Sequence, residues 1–545
     1  MIDETYRCIE AHAANPIFIH LLPKARVEQR LRELERLPRT LPLWGRTFAV
    51  KDNIDVAGLP TTAGCPAFAY TAASTAPVVQ KLLDAGAVLI GKTNLDQFAT
   101  GLVGTRSPYG ACRNAFNPAY ISGGSSSGSA LAVALGITDF SLGTDTAGSG
   151  RIPAAFNNIV GLKPTRGLAS TRGVVPACRS LDCVSVFARN CADVTAVFDL
   201  IRGPDDEDPY SRTGDDVPLS TSVFRFAVPR ELEFHGDRAY EALFGKALTR
   251  LGDLGGQRVD IDFALFLEAQ ALLYGAWIAE RRAEGFPLEA MLPVTRQVFE
   301  SAARYSAADA FKAAHRLAEL KRDCDRQLGG ADVLVVPAAP TIYRISEIEA
   351  EPIELNSRLG RYTNFVNLLD LAAVTVPAGF RPDGLPFGIT FVGRAFTDRA
   401  LAALGARFCA EPVLAQPAAT TVRIAVVGAH LSGMPLNYQL TELGARLVRA
   451  VRTAPLYRLY ALDAKRPGLV RDAGGAKIEV EVWEMSPGAF GTFVAQIPAP
   501  LGIGTLELED GESVKGFLCE AYAVRGLAEI TRLGGWRAYR KNSGG

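Results

Sequence analysis

Apolar residues fall at helical spacing in RVEQRLRELERL (26–37), and a Pro-bearing exit follows at LPRTLPLWG (37–45). Residues 1 to about 40 are therefore predicted as a helical N-terminal arm. From Phe48 the pattern changes. Short apolar runs (TFAVKDNIDV, AVLIGKT, ITDFSLG) alternate with helical stretches (APVVQKLLDAG, SGSALAVALG), the signature of an α/β chain. Residues 224–330 read as mostly helical. Strand character resumes at ADVLVVPAAP, AAVTVPAGF and FGITFVG, which predicts one sheet completed from both ends of a large domain spanning 1–410. The Ala- and Pro-rich segment AEPVLAQPAATT has no period, so 411–421 is expected to be a linker. Beyond it, VRIAVVGA, KIEVEVWEM and GTLELED look like strands, with one helix predicted over PLNYQLTELGARLVRAV (435–451). Residues 422–545 thus read as a small α+β domain.

Composition narrows the function classes. The 58 Lys and Arg cancel the 58 Asp and Glu, which leaves no global field for nucleic acid or an anionic membrane. The acidic start MIDETYRCIEAHAANPIF lacks a signal-peptide pattern, and no run approaches 18 apolar residues; a soluble cytoplasmic chain is expected. Nine scattered cysteines without a CxxC pair read as reduced, mostly buried thiols. The gaps within Cys178, Cys183 and Cys191 fit no zinc site, so no metal is expected. Gly86 through Gly91-Lys92-Thr93 matches the P-loop pattern literally, but its four intervening residues are themselves a strand and leave no phosphate cradle. VVGAHLSG (426–433) lacks the middle Gly of a dinucleotide fingerprint.

The segment ISGGSSSGSALAVALGITDFSLGTDTAGSGRIPAAFNNIVGLKPTRG (121–167) is different in kind. A Gly/Ser run is ordinarily a linker. This one leads straight into an apolar helix and, one strand later, into a second small-residue loop, Thr146-Ala147-Gly148-Ser149-Gly150, so two loops bracket a helix and a strand as in a built site. A nucleophilic Ser needs a base and N–H donors for the oxyanion. The five His residues all lie far away in sequence, and neither loop is a GxSxG elbow. Lys is the other base, provided burial makes it neutral; Lys51, at the end of an apolar strand, is the best-placed candidate.

Together Lys51, GGSSSGS and GTDTAGSGRIPAAFNNIVGLKPTRG resemble the amidase signature family, and the likeness continues through GAVLIGKTNLDQFATG, SPYGACRNAFNP and DGLPFGITFVG. It implies the amidase signature fold, a mixed central sheet flanked by helices. It also implies a Ser-cis-Ser-Lys triad, with Ser149 as nucleophile, Ser125 as bridge after a cis Gly124–Ser125 peptide, and Lys51 as base. Thr146, Ala147, Gly148 and Ser149 would supply oxyanion N–H groups, and Gly124 would touch substrate. RGVVPACRSLDCVSVFARN, LLYGAWIAERRAEGF and TNFVNLLDLAAVTVPAGF are similar to the allophanate hydrolase branch of that family. An anionic substrate needs a cation, and Tyr274 and Arg281 stand seven apart, two turns along one helix face. In that branch the corresponding Tyr and Arg bind substrate. The usual spacing there is eight, so both Arg281 and Arg282 are candidates.

VVGAHLSGMPLN, WEMSPGAFGTFVAQIPAPLGIGTLELEDG and VKGFLCEAYA resemble the allophanate hydrolase C-terminal domain, whose fold is similar to γ-glutamylcyclotransferase. The resemblance implies a two-step hydrolysis of allophanate to ammonia and carbon dioxide. The tail would promote breakdown of N-carboxycarbamate with His430, and no cofactor would be required. It also implies a homodimer and a functional link to urea carboxylase. Two rivals are another small-amide amidase of the family and a non-catalytic module of a urea carboxylase assembly.

Overall fold

A computed structural model describes residues 2–219, 223–411, 421–463 and 466–542. The chain divides into two compact units, Met1–Val413 and Leu414–Gly545. Most of the expected linker, 412–420, lies outside the described residues.

The first unit is built on an eleven-stranded mixed sheet. Its order runs Phe18–Leu21, Val88–Thr93, Thr47–Lys51, Phe140–Asp145, Cys183–Ala188, Val160–Lys163, Leu371–Phe380, Pro386–Arg394, Val333–Pro337, Phe224–Pro229 and Gly256–Ile261. As the apolar runs predicted, strands from after residue 330 complete a sheet begun before residue 190. Thr47–Lys51, Phe140–Asp145 and Cys183–Ala188 are buried along their whole length. That is why they read as continuous rather than alternating apolar segments. Thr47–Lys51 lies parallel between Val88–Thr93 and Phe140–Asp145, so its last residue ends beside the loop that follows Asp145.

Two expectations need revision. The N-terminal arm does contain helices, Ile2–Ala11 and Lys24–Leu34, but the strand between them pairs antiparallel with Val88–Thr93 and forms the edge of the sheet. Residues 224–330 are mostly helical, as expected, and also contribute the parallel pair Phe224–Pro229 and Gly256–Ile261. The helix predicted over 435–451 is one turn, Tyr438–Thr441; it stops before Gly444 at φ 71°, and Arg446–Arg452 is a strand. Pairing of that strand with Glu479–Met485 overrides its helical periodicity. In the P-loop look-alike, Gly91 lies inside a strand and Lys92 is buried, 3.4 Å from the Asp52 carboxylate.

The second unit has a five-stranded sheet in the order Arg446–Arg452, Glu479–Met485, Val422–Val426, Ser513–Cys519 and Leu501–Glu507, with a separate two-stranded sheet of Tyr457–Ala461 and Pro467–Arg471. Its core includes Ile424, Val426, Trp483, Phe493, Phe517 and Trp536.

Candidate active site

The Gly/Ser run is a close-packed junction. Helix Ser127–Ala134 is buried from Ser127 through Val133, all the way round, which suits a sequence of small and apolar residues without a polar face. A Cβ on Gly128 would stand 2.2 Å from Ile17 O and 2.7 Å from Asn94 N, so only glycine lets these backbones meet. Gly124–Ser125 is a cis peptide, as the family likeness implied. The Gly124 N–H donates to Leu102 O.

Lys51, Ser125 and Ser149 form one line of hydrogen bonds. Lys51 Nζ is 2.8 Å from Ser125 Oγ and 2.7 Å from Thr144 Oγ1, and Ser125 Oγ is 2.9 Å from Ser149 Oγ. All four side chains are buried. Burial pushes the Lys51 ammonium down to about 7, against the opposing pull of Asp96, Asp182 and Asp145. The amine is thus half neutral near neutral pH, and its lone pair can then accept from Ser125. Because hydroxyl hydrogens rotate, loss of one proton reverses the whole line, so that Ser149 donates to Ser125 and Ser125 to Lys51.

Asp145 shapes the nucleophile loop. Its carboxylate accepts from the Gly148 and Gly150 N–H groups at 2.8 and 2.9 Å, and from Arg151 Nη2 and Nε at 2.8 and 2.9 Å. Both ions are fully buried, and Arg151 further donates to Thr363 O. Of the expected oxyanion donors, the Gly148 N–H donates to Asp145, while Thr146, Ala147 and Ser149 stand beside it as candidate donors. Thr146 is held from the side, its hydroxyl donating to Asp182. Asp182 also accepts from the Ala177 and Cys178 N–H groups; burial raises its carboxyl to about 6, with Thr146, Cys178, Arg281 and Ala177 opposing.

Tyr274 and Arg281 are not on one helix face. Tyr274 lies in the turn between helices Ala264–Ala271 and Ile278–Ala283, where the Trp277 N–H bonds to Leu272 O instead of four residues back. The two still meet, with Arg281 Cζ 5.6 Å from the Tyr274 ring centroid. Arg281 is buried and donates to Thr100 Oγ1 at 3.1 Å, whereas Arg282 is exposed. Sequence reasoning missed Thr144, Asp145 and Arg151. The signal was available in GTDTAGSGR, where an Asp and an Arg six apart flank the nucleophile.

In the second unit His430 follows the strand Val422–Val426. Its Nε2 is 2.9 Å from Gln439 Oε1, and its ring packs against Phe517 (stacked, 5.2 Å) and Phe493 (edge-on, 5.1 Å), which also meet each other. Burial pushes the imidazole below its usual value, with Gln439 opposing. His430, Gln439 and Arg466 line a cavity of about 250 Å³ whose wall is otherwise mostly apolar.

Residues 6–402 match the Amidase family, and residues 422–541 match the allophanate hydrolase C-terminal domain. A urea amidolyase of Saccharomyces cerevisiae is 46% identical over 543 residues, covering 92% of this chain and 30% of its own length. The chain therefore spans about a third of that relative. A glutamyl-tRNA(Gln) amidotransferase subunit of Methanosarcina acetivorans is 36% identical over 66% of this chain and 82% of its own length. The solved allophanate hydrolase of Kluyveromyces lactis is 42% identical with a TM-score of 0.77, covering 99% of this chain and 96% of that one. The chain belongs to the Amidase family and carries the allophanate hydrolase C-terminal domain.

Proposed function

We propose that this amidohydrolase converts allophanate to ammonia and carbon dioxide in two steps. The observation that carries the first step is the buried line Lys51–Ser125–Ser149, a base of lowered pKa joined through one hydroxyl to another. Ser149 Oγ attacks the terminal amide carbon while its proton passes to Ser125 and that of Ser125 to Lys51. The tetrahedral oxyanion is held by N–H groups of Thr146, Ala147 and Ser149. Return of the proton expels ammonia and leaves an acyl-enzyme. Water, activated by the same line in reverse, releases N-carboxycarbamate. Arg281 and Tyr274 hold the substrate carboxylate, with the Gly124 carbonyl accepting from its amide nitrogen.

In the second step the product reaches the second unit, where neutral His430 promotes its breakdown beside Arg466, whose guanidinium is paired with Asp463. Support comes from the two matched domains together, since the amidotransferase subunit covers only 66% of this chain. The same reading takes the chain as a cytoplasmic homodimer fed by a urea carboxylase, and sedimentation velocity checks the dimer. The deciding experiment compares ammonia release from allophanate, malonamate, biuret and an uncharged amide. Allophanate should be preferred by at least an order of magnitude in kcat/KM, and a preference for the uncharged amide would sink the proposal.

A further inference from the structure

Two guanidinium groups in the first unit are buried without an ion pair. Arg281 and Arg106 are 1% and 3% exposed, and the Nε of each has no hydrogen-bond partner. Thr100 bridges them: its hydroxyl accepts from Arg281 at 3.1 Å and its carbonyl from Arg106 Nη1 at 3.0 Å. Arg106 Nη2 donates to Pro352 O. Burial pushes the Arg106 guanidinium below its usual value, Asp96 opposing and Arg281 adding to the effect.

Glu300, on the cavity with Arg106, is exposed, and the buried carboxylates Asp96 and Asp182 are spent elsewhere. Asp96 accepts from the N–H groups of Val103, Gly104 and Arg106, while Asp182 serves Thr146, Ala177 and Cys178. Neither lies in ion-pair contact with a guanidinium. Burying one unpaired cation is strongly unfavourable, and burying a second beside it is more so. Such a pair suits a ligand that brings negative charge. Arg106 and Tyr274 line one cavity of about 410 Å³, which also carries Glu300 and Arg304, and Arg281 lies against the Tyr274 ring.

We propose that Arg106 is a second carboxylate-binding residue, paired with Arg281 across Thr100, and that the two restrict the site to small amides bearing a carboxylate. The inference rests on the anionic substrate proposed above. A carboxylate offers enough lone pairs to serve both guanidinium groups, whereas an uncharged amide leaves both cations unpaired, so discrimination arises as much from the rejected ligand as from the accepted one.

The test measures binding without turnover. In the full-length Ser149→Ala protein, calorimetry compares malonamate with its uncharged counterpart malonamide, with and without Arg106→Gln. Malonamate should bind about 10- to 100-fold more weakly to Arg106→Gln, the range of a lost charge-assisted hydrogen bond, and Arg106→Lys should recover part of the loss. Malonamide binding should change far less. Equal weakening of both ligands, or an unchanged malonamate affinity, overturns the proposal and leaves Arg106 as a tether of Thr100 and Pro352. If Arg106→Gln does not fold, Arg106→Lys reads the same selectivity ratio, because an ammonium cannot reproduce the fork. Failure of the substrate reading is separable. Wild-type protein inert on allophanate, with malonamate binding still dependent on Arg106, removes allophanate and keeps the anion pocket.

Discussion

Lys51 carries opposite demands on one side chain. As a base it must be neutral, so kcat/KM should rise as pH rises through about 7 and level off above it; a flat profile from pH 5.5 to 8.5 excludes Lys51 as the base. Ser149→Ala and Lys51→Ala should each remove nearly all ammonia release, and the double variant should be little worse, because one proton line is broken in every case. Lys51→Arg should be equally inactive, since guanidinium keeps its proton. Burial has a cost in stability. The folded state holds Lys51 near pKa 7 against 10.5 unfolded, so between those values the unfolded chain binds the extra proton and folding gains with rising pH. Lys51→Met should therefore melt higher than wild type, and its advantage should shrink between pH 6 and pH 9 by up to about 3 kcal/mol. Calorimetric melting at the two pH values reads this directly.

At the scale of elements, the loop after strand Phe140–Asp145 is fixed by its own flanks. Asp145 ends the strand, Arg151 precedes the helix Ile152–Phe156, and their pairing draws the nucleophile loop into a tight turn around Ser149. Removing one partner leaves a buried charge unpaired. Arg151→Met should cost about 3–5 kcal/mol of stability, seen as a lower melting temperature, and should lower kcat more than it raises KM because the oxyanion donors lose their alignment. A melting temperature within two degrees or so of wild type would show that the loop holds itself without the pair.

For the whole molecule, each unit carries its own core, Phe48 and Val186 in the first and Trp483 and Phe517 in the second. A chain ending at Glu411 should fold and release the first ammonia from allophanate at close to the wild-type rate, since Lys51, Ser125 and Ser149 all precede it. The second ammonia should lag. His430→Ala in the full chain should reproduce the lag while leaving the first step unchanged, and carbon NMR should then detect N-carboxycarbamate. Identical time courses for variant and wild type would remove His430 from the second step. Among the described residues no helix is long and apolar enough to cross a membrane.

Much of the site was legible because its parts are local. Two loops of small residues around Ser125 and Ser149, and a Lys at the end of an apolar strand, are patterns of a few positions each, and continuous apolar runs gave the buried strands of an α/β sheet. Only the tertiary structure decided which distant pieces meet. Lys51 reaches Thr144 because strand Thr47–Lys51 pairs parallel with Phe140–Asp145, and Ser125, 74 residues on, because the helix that follows it packs on both strands. Arg281 rather than Arg282 is buried against Tyr274, across a break in the helix, and Arg106 joins it through Thr100. The segment RLVRAVR has helical periodicity, yet its hydrogen bonds go to a neighbouring strand. Side-chain period and loop chemistry act over a few residues and are written in the chain. Strand order, the burial of a lone cation and the choice between helix and edge strand depend on neighbours that only folding brings together.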